Sequence, residues 1–167
     1  ETAKTYKNFK QLIFPDDFID SNIKFDVILL INVLNIMPVQ IERLCVLALC
    51  RERIKDKGRL LWYTQHGGYS KSDAVATIFD GLVTGKGRKY NMFYRDYSRK
   101  EIHEMLRSTG FSFNKDYKFP MSGSNQAYVF NPEGPILIDK TLGLTDLLKK
   151  GRRTKLKEVK RQTRWEV

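Results

Sequence analysis

Ten consecutive residues, Phe25-Asp26-Val27-Ile28-Leu29-Leu30-Ile31-Asn32-Val33-Leu34, form an almost unbroken apolar run rich in β-branched side chains. The run is far short of the roughly twenty residues that span a membrane. It fits a strand covered on both faces, which predicts a central parallel strand in an α/β sheet. Pro38 then stands where a first helical turn is expected, and Ile41, Leu44, Cys45, Leu47, Ala48 and Leu49 recur at helical spacing. Gln40, Glu42, Arg43, Arg51 and Glu52 fill the remaining, polar positions of that helix. Lys55-Asp56-Lys57-Gly58 is expected to close it, with cations in the last turn and a glycine free to take positive φ. Leu60-Leu61-Trp62-Tyr63 resumes a strand, and the whole reads as a βαβ unit with a right-handed crossover.

Beyond Gln65-His66-Gly67-Gly68 the pattern Ser70-Lys71-Ser72-Asp73 predicts a capped short helix carrying Val75, Ile78, Phe79 and Leu82, placed beside a strand's carboxyl end. A basic loop, Gly85-Lys86-Gly87-Arg88-Lys89, follows. Ser98-Arg99-Lys100-Glu101 is a second capping box, ahead of a helix with Ile102, Met105 and Leu106 on one face and Gly110 at its end. Phe111 to Phe119, a Ser122-Gly123-Ser124 turn, and Asn125 to Phe130 predict an antiparallel hairpin, so the sheet is mixed.

Charge divides the chain at its end. The net charge is +11 over 167 residues, and Lys149 to Val167 hold nine Lys/Arg against two Asp/Glu, +7 of that total. Residues 135–167 therefore read as a basic helical tail on a single domain of residues 1–134. The apolar fraction of 41% fills one core without disulfides. Two cysteines, Cys45 and Cys50, inside one helix fit reduced thiols and a cytoplasmic setting, and two distant histidines, His66 and His103, predict no metal centre. His103 is expected to be solvated. Nothing near Glu1 reads as a leader, since Lys4, Lys7 and Lys10 surround aromatics, and no segment predicts membrane insertion. The oligomeric state is not readable from sequence.

In open α/β sheets ligands bind outside the carboxyl ends of parallel strands, where loops diverge. The first such end is Asn32 to Pro38. Asn35 there offers two donors and an acceptor for gripping an amide, an amino group or a base edge, beside an apolar wall of Met37 and Pro38; the alternative is an Asx turn. At the second end Tyr63, Gln65 and His66 border the opening, and the near-neutral unperturbed pKa of histidine suits His66 to acid–base work, the alternative being a surface histidine. Lys86, Arg88 and Lys89, and in the tail Lys149, Lys150, Arg152, Arg153 and Lys155, are candidates for phosphate contacts.

With those residues in view, Phe25 to Pro38, Lys57-Gly58-Arg59-Leu60-Leu61 and the late hairpin resemble the second half of a class I S-adenosylmethionine-dependent methyltransferase, over roughly Ile23 to Asn131. The resemblance implies a partial Rossmann-like sheet whose first strand here corresponds to the family's fourth, with Asn35, Ile36, Met37 and Pro38 at the substrate pocket. It implies S-adenosylmethionine as cofactor, with Asn32, Asn35 and Met37 on the cofactor side and Asn35, Gln65 and His66 at the reacting centre. Val33-Leu34-Asn35-Ile36 and Asp80-Gly81-Leu82-Val83-Thr84 also look like methyltransferases associated with DNA phosphorothioation, which implies a nucleic-acid partner. The family's glycine-rich first loop and the acidic residue of its second strand have no counterpart before Phe25. The reading therefore expects those elements upstream of Glu1 in a longer polypeptide, the alternative being a remnant without cofactor. Asn35-Ile36-Met37-Pro38 also departs from the Asn/Asp-Pro-Pro-aromatic motif of amino-methylating DNA enzymes, which leaves the acceptor atom open. A non-catalytic nucleic-acid-binding module, gripping through its tail on a Rossmann-like platform, is the competing function.

Overall fold

The computed structural model describes residues 22–64, 74–85, 92–117 and 126–139. The apolar run becomes strand β1, Phe25–Ile31, followed by a single 3₁₀ turn, Leu34–Ile36, and helix α1, Gln40–Arg53. Strand β2, Ile54–Thr64, returns parallel to β1, with Ile28 opposite Leu60 and Ile31 opposite Tyr63. The predicted βαβ unit is present. After it come β3, Ala74–Ile78, β4, Gly81–Thr84, and β5, Met92–Tyr94, then helix α2, Arg99–Ser108, and strands β6, Phe111–Phe113, and β7, Gln126–Pro132.

The main sheet has the order β1-β2-β7-β6, parallel in its first pair and antiparallel in the other two, so it is mixed as the sequence implies. Chain order would place β6 beside β2; instead β7 lies between them. Leu60, Trp62 and Phe130 form the buried floor, on which Leu47 of α1 and Ile102 and Leu106 of α2 pack. Truncating any such large buried side chain to alanine costs about 2–5 kcal/mol. Cys45 and Cys50 lie in this core as free thiols, and burial pushes the Cys50 thiol up to about 12. Ser98 and Glu101 close the expected capping box on α2, and Gly110, at φ 84°, ends the turn beyond it.

Four expectations are corrected. Strand β1 is not covered on both faces: among the described residues it is an edge strand, and Val27, Leu29 and Ile31 on one face are 55, 55 and 52% exposed. Only the face carrying Leu30, with Ile28 behind it, meets the core. Pro38 lies outside α1, which begins two residues later after Val39. Lys55 to Gly58 do not end a helix either. The chain passes straight from Arg53 into β2, and those residues bulge between the Phe25–Ile54 and Val27–Arg59 pairings. Gly58 is required there for closeness, since a Cβ would meet Ile54 Cγ1 at 2.6 Å and the Lys55 carbonyl at 2.9 Å.

The fourth correction concerns the segment after β2. Val75, Ile78, Phe79 and Leu82 form no helix but a β-hairpin, β3 to β4, which continues into β5 as a separate three-stranded sheet. Val75, Thr77 and Ile78 are β-branched, and Phe79-Asp80 before Gly81 makes a two-residue turn. The Ser70 to Asp73 pattern lies outside the described residues. The small sheet does sit at the carboxyl end of β1, since β5 touches the 3₁₀ turn.

Candidate functional site

Strand β1 ends at Ile31, and Asn32 after it takes the left-handed conformation, φ 52°, that asparagine tolerates better than most residues. Its N–H donates to the Tyr63 carbonyl at 3.0 Å, which ties the tips of β1 and β2 together. The chain then folds into the 3₁₀ turn, and four carbonyls along it are taken by distant groups. The Tyr97 hydroxyl donates to Leu34 O at 3.0 Å and the Arg95 N–H to Asn35 O at 2.8 Å. Arg43 donates through Nη1 to Met37 O at 2.7 Å and to Pro38 O at 3.3 Å.

Arg43 has no exposed side-chain surface. Burial lowers its pKa, and the fields of Tyr97, Glu101 and Glu42 oppose that shift. Asp80, at the β3–β4 turn, accepts from both of its terminal nitrogens, with Nη1 to Oδ1 at 3.2 Å. The same carboxylate pairs with Arg95, which reaches Glu101 at 2.5 Å. Glu101 in turn accepts from the Ser98 N–H at 2.8 Å. A chain of alternating charges therefore runs from α1 through the hairpin turn to the first turn of α2. Tyr97 lies at its centre, with the Arg95 guanidinium 4.9 Å from its ring centroid and Trp62 edge-on at 5.5 Å. Burial pushes the Tyr97 hydroxyl up to about 12, so it stays a donor.

Within this frame Asn35 is 3% exposed, and its Oδ1 has no hydrogen-bond partner. An unsatisfied buried acceptor costs about 1–3 kcal/mol. Asn35 is thus not serving as an Asx turn through that oxygen. Asn32, Tyr63, Met37 and Pro38 are half-buried around the same strand tips. Asn32, Asn35, Met37 and Pro38 thus lie on the segment that follows β1, and Tyr63 is tied to its start by the Asn32 N–H. Gln65, His66, Lys86, Arg88, Lys89, Lys149, Lys150, Arg152, Arg153 and Lys155 lie outside the described residues.

Sequence reasoning missed Arg43, Asp80, Arg95 and Tyr97, and it placed Glu42 and Arg43 on a polar face although both are buried. One signal was present: a cation in the opening turn of a helix opposes the helix dipole and calls for a local anion. His103 is corrected as well. It stacks on Phe113 at 4.9 Å and meets Phe130 edge-on, and burial followed by the charge of Arg99 lowers its pKa. It lines a cleft of about 680 Å³ between α2 and β6, away from the strand tips. Among the described residues no group of three or more His, Cys, Asp or Glu converges on a metal position, and no helix is long and apolar enough to cross a membrane.

No family model matches the chain, and no curated protein matches it. Its fold does match solved structures. An S-adenosylmethionine-dependent methyltransferase from Clostridium acetobutylicum superposes with a TM-score of 0.50 at 13% identity, over 69% of this chain and 61% of that one. The CcbJ methyltransferase from Streptomyces caelestis gives 0.51 at 12% identity, over 68% and 59%. The chain has the α/β fold of these methyltransferases and spans about three-fifths of each.

Proposed function

We propose that this chain is the substrate-side part of an S-adenosylmethionine-dependent methyltransferase acting on nucleic acid. The observation that carries the reading is Asn35: a buried carboxamide with an unsatisfied oxygen, at the tip of a parallel strand, in a fold shared with methyltransferases. That oxygen has almost no accessible surface, so a bound group with an N–H or O–H satisfies it only once the side chains beside it move aside. Bound S-adenosylmethionine supplies an electrophilic methyl carbon. Asn32, Asn35 and Met37 form the part of its wall that this chain contributes. In this reading Asn35 orients the acceptor, Met37 and Pro38 exclude water beside it, and Tyr63 stands at the tip of the neighbouring strand. Catalysis then rests on holding two partners in line, the term that positioning supplies.

The nucleic-acid acceptor is supported by the net charge of +11. The edge position of β1 among the described residues and its exposed face, with Val27, Leu29 and Ile31, support the idea that a further strand pairs with it and a further layer covers it in the working enzyme. Isothermal titration of the full-length protein with S-adenosylmethionine and with S-adenosylhomocysteine tests the reading. Binding heat from both is expected, with Asn35→Ala lowering methyl transfer by about tenfold or more. An absence of heat from either ligand overturns it.

A further inference from the structure

Phe79 breaks the ordinary chemistry of a tight hairpin. It is the first of the two residues joining β3 to β4, and its φ of 49° lies in the left-handed region. Glycine or asparagine holds that position cheaply, whereas a bulky aromatic residue does so under strain. The folded chain gains little from the ring in return, because Phe79 is 74% exposed. Its neighbour Asp80 is the residue clamped between Arg43 and Arg95. Arg43 also holds the Met37 and Pro38 carbonyls, so the turn is fastened beside the tip of β1. A strained backbone thus presents an aromatic face to solvent on a turn fastened by Arg43 and Arg95, the same residues that hold the Met37, Pro38 and Asn35 carbonyls, and strain of this kind points to function.

We infer that Phe79 is a stacking platform for a base of single-stranded nucleic acid whose neighbouring nucleotide enters the strand tip. The inference rests on the nucleic-acid reading above and adds the residue that positions the strand. An aromatic face stacks on any base, and the net charge of +11 draws a polyanion toward the chain. Base stacking also explains why a polar turn residue does not occupy position 79: asparagine would relieve the strain and remove the platform.

The test uses the full chain and a short single-stranded oligodeoxynucleotide carrying fluorescein and one 5-iodouracil, at low salt. Anisotropy gives affinity, and photo-crosslinking followed by mass spectrometry gives the residue in contact. Phe79→Ala is expected to weaken binding on the order of tenfold, about 1.4 kcal/mol, while Phe79→Trp stays within about twofold of the native chain. The crosslink is expected on Phe79. Phe79→Gly is expected to lose the same affinity yet melt no lower than the native protein, because it relieves the turn, and this separates loss of contact from loss of fold. Unchanged affinity of Phe79→Ala, or a crosslink elsewhere, overturns the inference and leaves the nucleic-acid reading standing. A native chain that binds no oligonucleotide overturns both, while calorimetry with the cofactor still judges methyl transfer.

Discussion

Removing the Asp80 carboxylate tests the clamp at the strand tip most directly. Arg43 is wholly buried, and Asp80 accepts from both of its terminal nitrogens. A hydrogen bond to a charged group contributes about 1.5–3 kcal/mol, and breaking a buried ion pair costs about 3–5 kcal/mol because one charge is left uncompensated. Asp80 itself keeps 31% of its side-chain surface, so water enters in its place, and Arg43 retains the Met37 and Pro38 carbonyls. Those two facts bring the expected cost of Asp80→Ala down to about 2–3 kcal/mol. In a chain of this size that lowers the melting temperature by roughly 5–10 °C. Urea denaturation followed by circular dichroism measures it. In the Asp80→Ala background, Arg43→Met is expected to cost much less than it does alone, with a coupling of at least about 1.5 kcal/mol in the double-mutant cycle. Additivity within about 0.5 kcal/mol would refute the reasoning, since it would mean that the two side chains do not depend on each other in the folded protein.

Two further substitutions probe the frame around the site. Ser98→Ala removes the α2 cap and is expected to cost about 0.5–2 kcal/mol. Hydrogen bonds from Ser98, with further help from Arg95, hold the Glu101 carboxyl below the usual carboxylate range. Its contribution to stability is therefore complete above the unfolded glutamate value of about 4.3 and is lost as pH falls from there through the lower folded value. Melting curves across that acid window are expected to fall less steeply in Ser98→Ala; equal slopes would contradict the assignment. Gly58→Ala places a Cβ 2.6 Å from Ile54 Cγ1 and 3.0 Å from the Asp26 carbonyl, and it is expected to destabilise by about 1–3 kcal/mol in the same urea assay, with a neutral result refuting the close approach.

What sequence could reveal here followed the range of the interactions. The apolar run, the capping box at Ser98, the helix stop at Gly110 and the β6–β7 pairing all rest on residues that signal through their own chemistry or that of near neighbours. The β3–β4 hairpin was ambiguous because Val75, Ile78, Phe79 and Leu82 fall at positions i, i+3, i+4 and i+7, which satisfies a helix as well. Pairing with β5, beyond the basic loop, settles it, and no local window contains that strand. The burial of Arg43 depends on a carboxylate 37 positions away, and the place of β7 between β2 and β6 depends on the whole sheet. Of the candidate site, the meeting of the β1 and β2 tips was legible, because a βαβ unit brings the carboxyl ends of its two parallel strands side by side. The groups that shape it were not.

Those groups change what the strand tip means. An Asn at the end of a strand is common, and an open tip with free carbonyls would offer many weak contacts and little selectivity. Here the carbonyls of Leu34, Asn35, Met37 and Pro38 are all occupied by donors from Tyr97, Arg95 and Arg43. The backbone is therefore spent on rigidity, and the Asn35 carboxamide oxygen is left buried without a partner inside it. Fixed acceptors discriminate because an incoming group that lacks the matching donor leaves a buried oxygen unpaired, at a cost of about 1–3 kcal/mol, whereas a loose one turns to water instead. The same arginines that immobilise the turn also hold Asp80, and with it Phe79. One charge network thus fixes both the turn that carries Asn35 and the hairpin turn that carries Phe79.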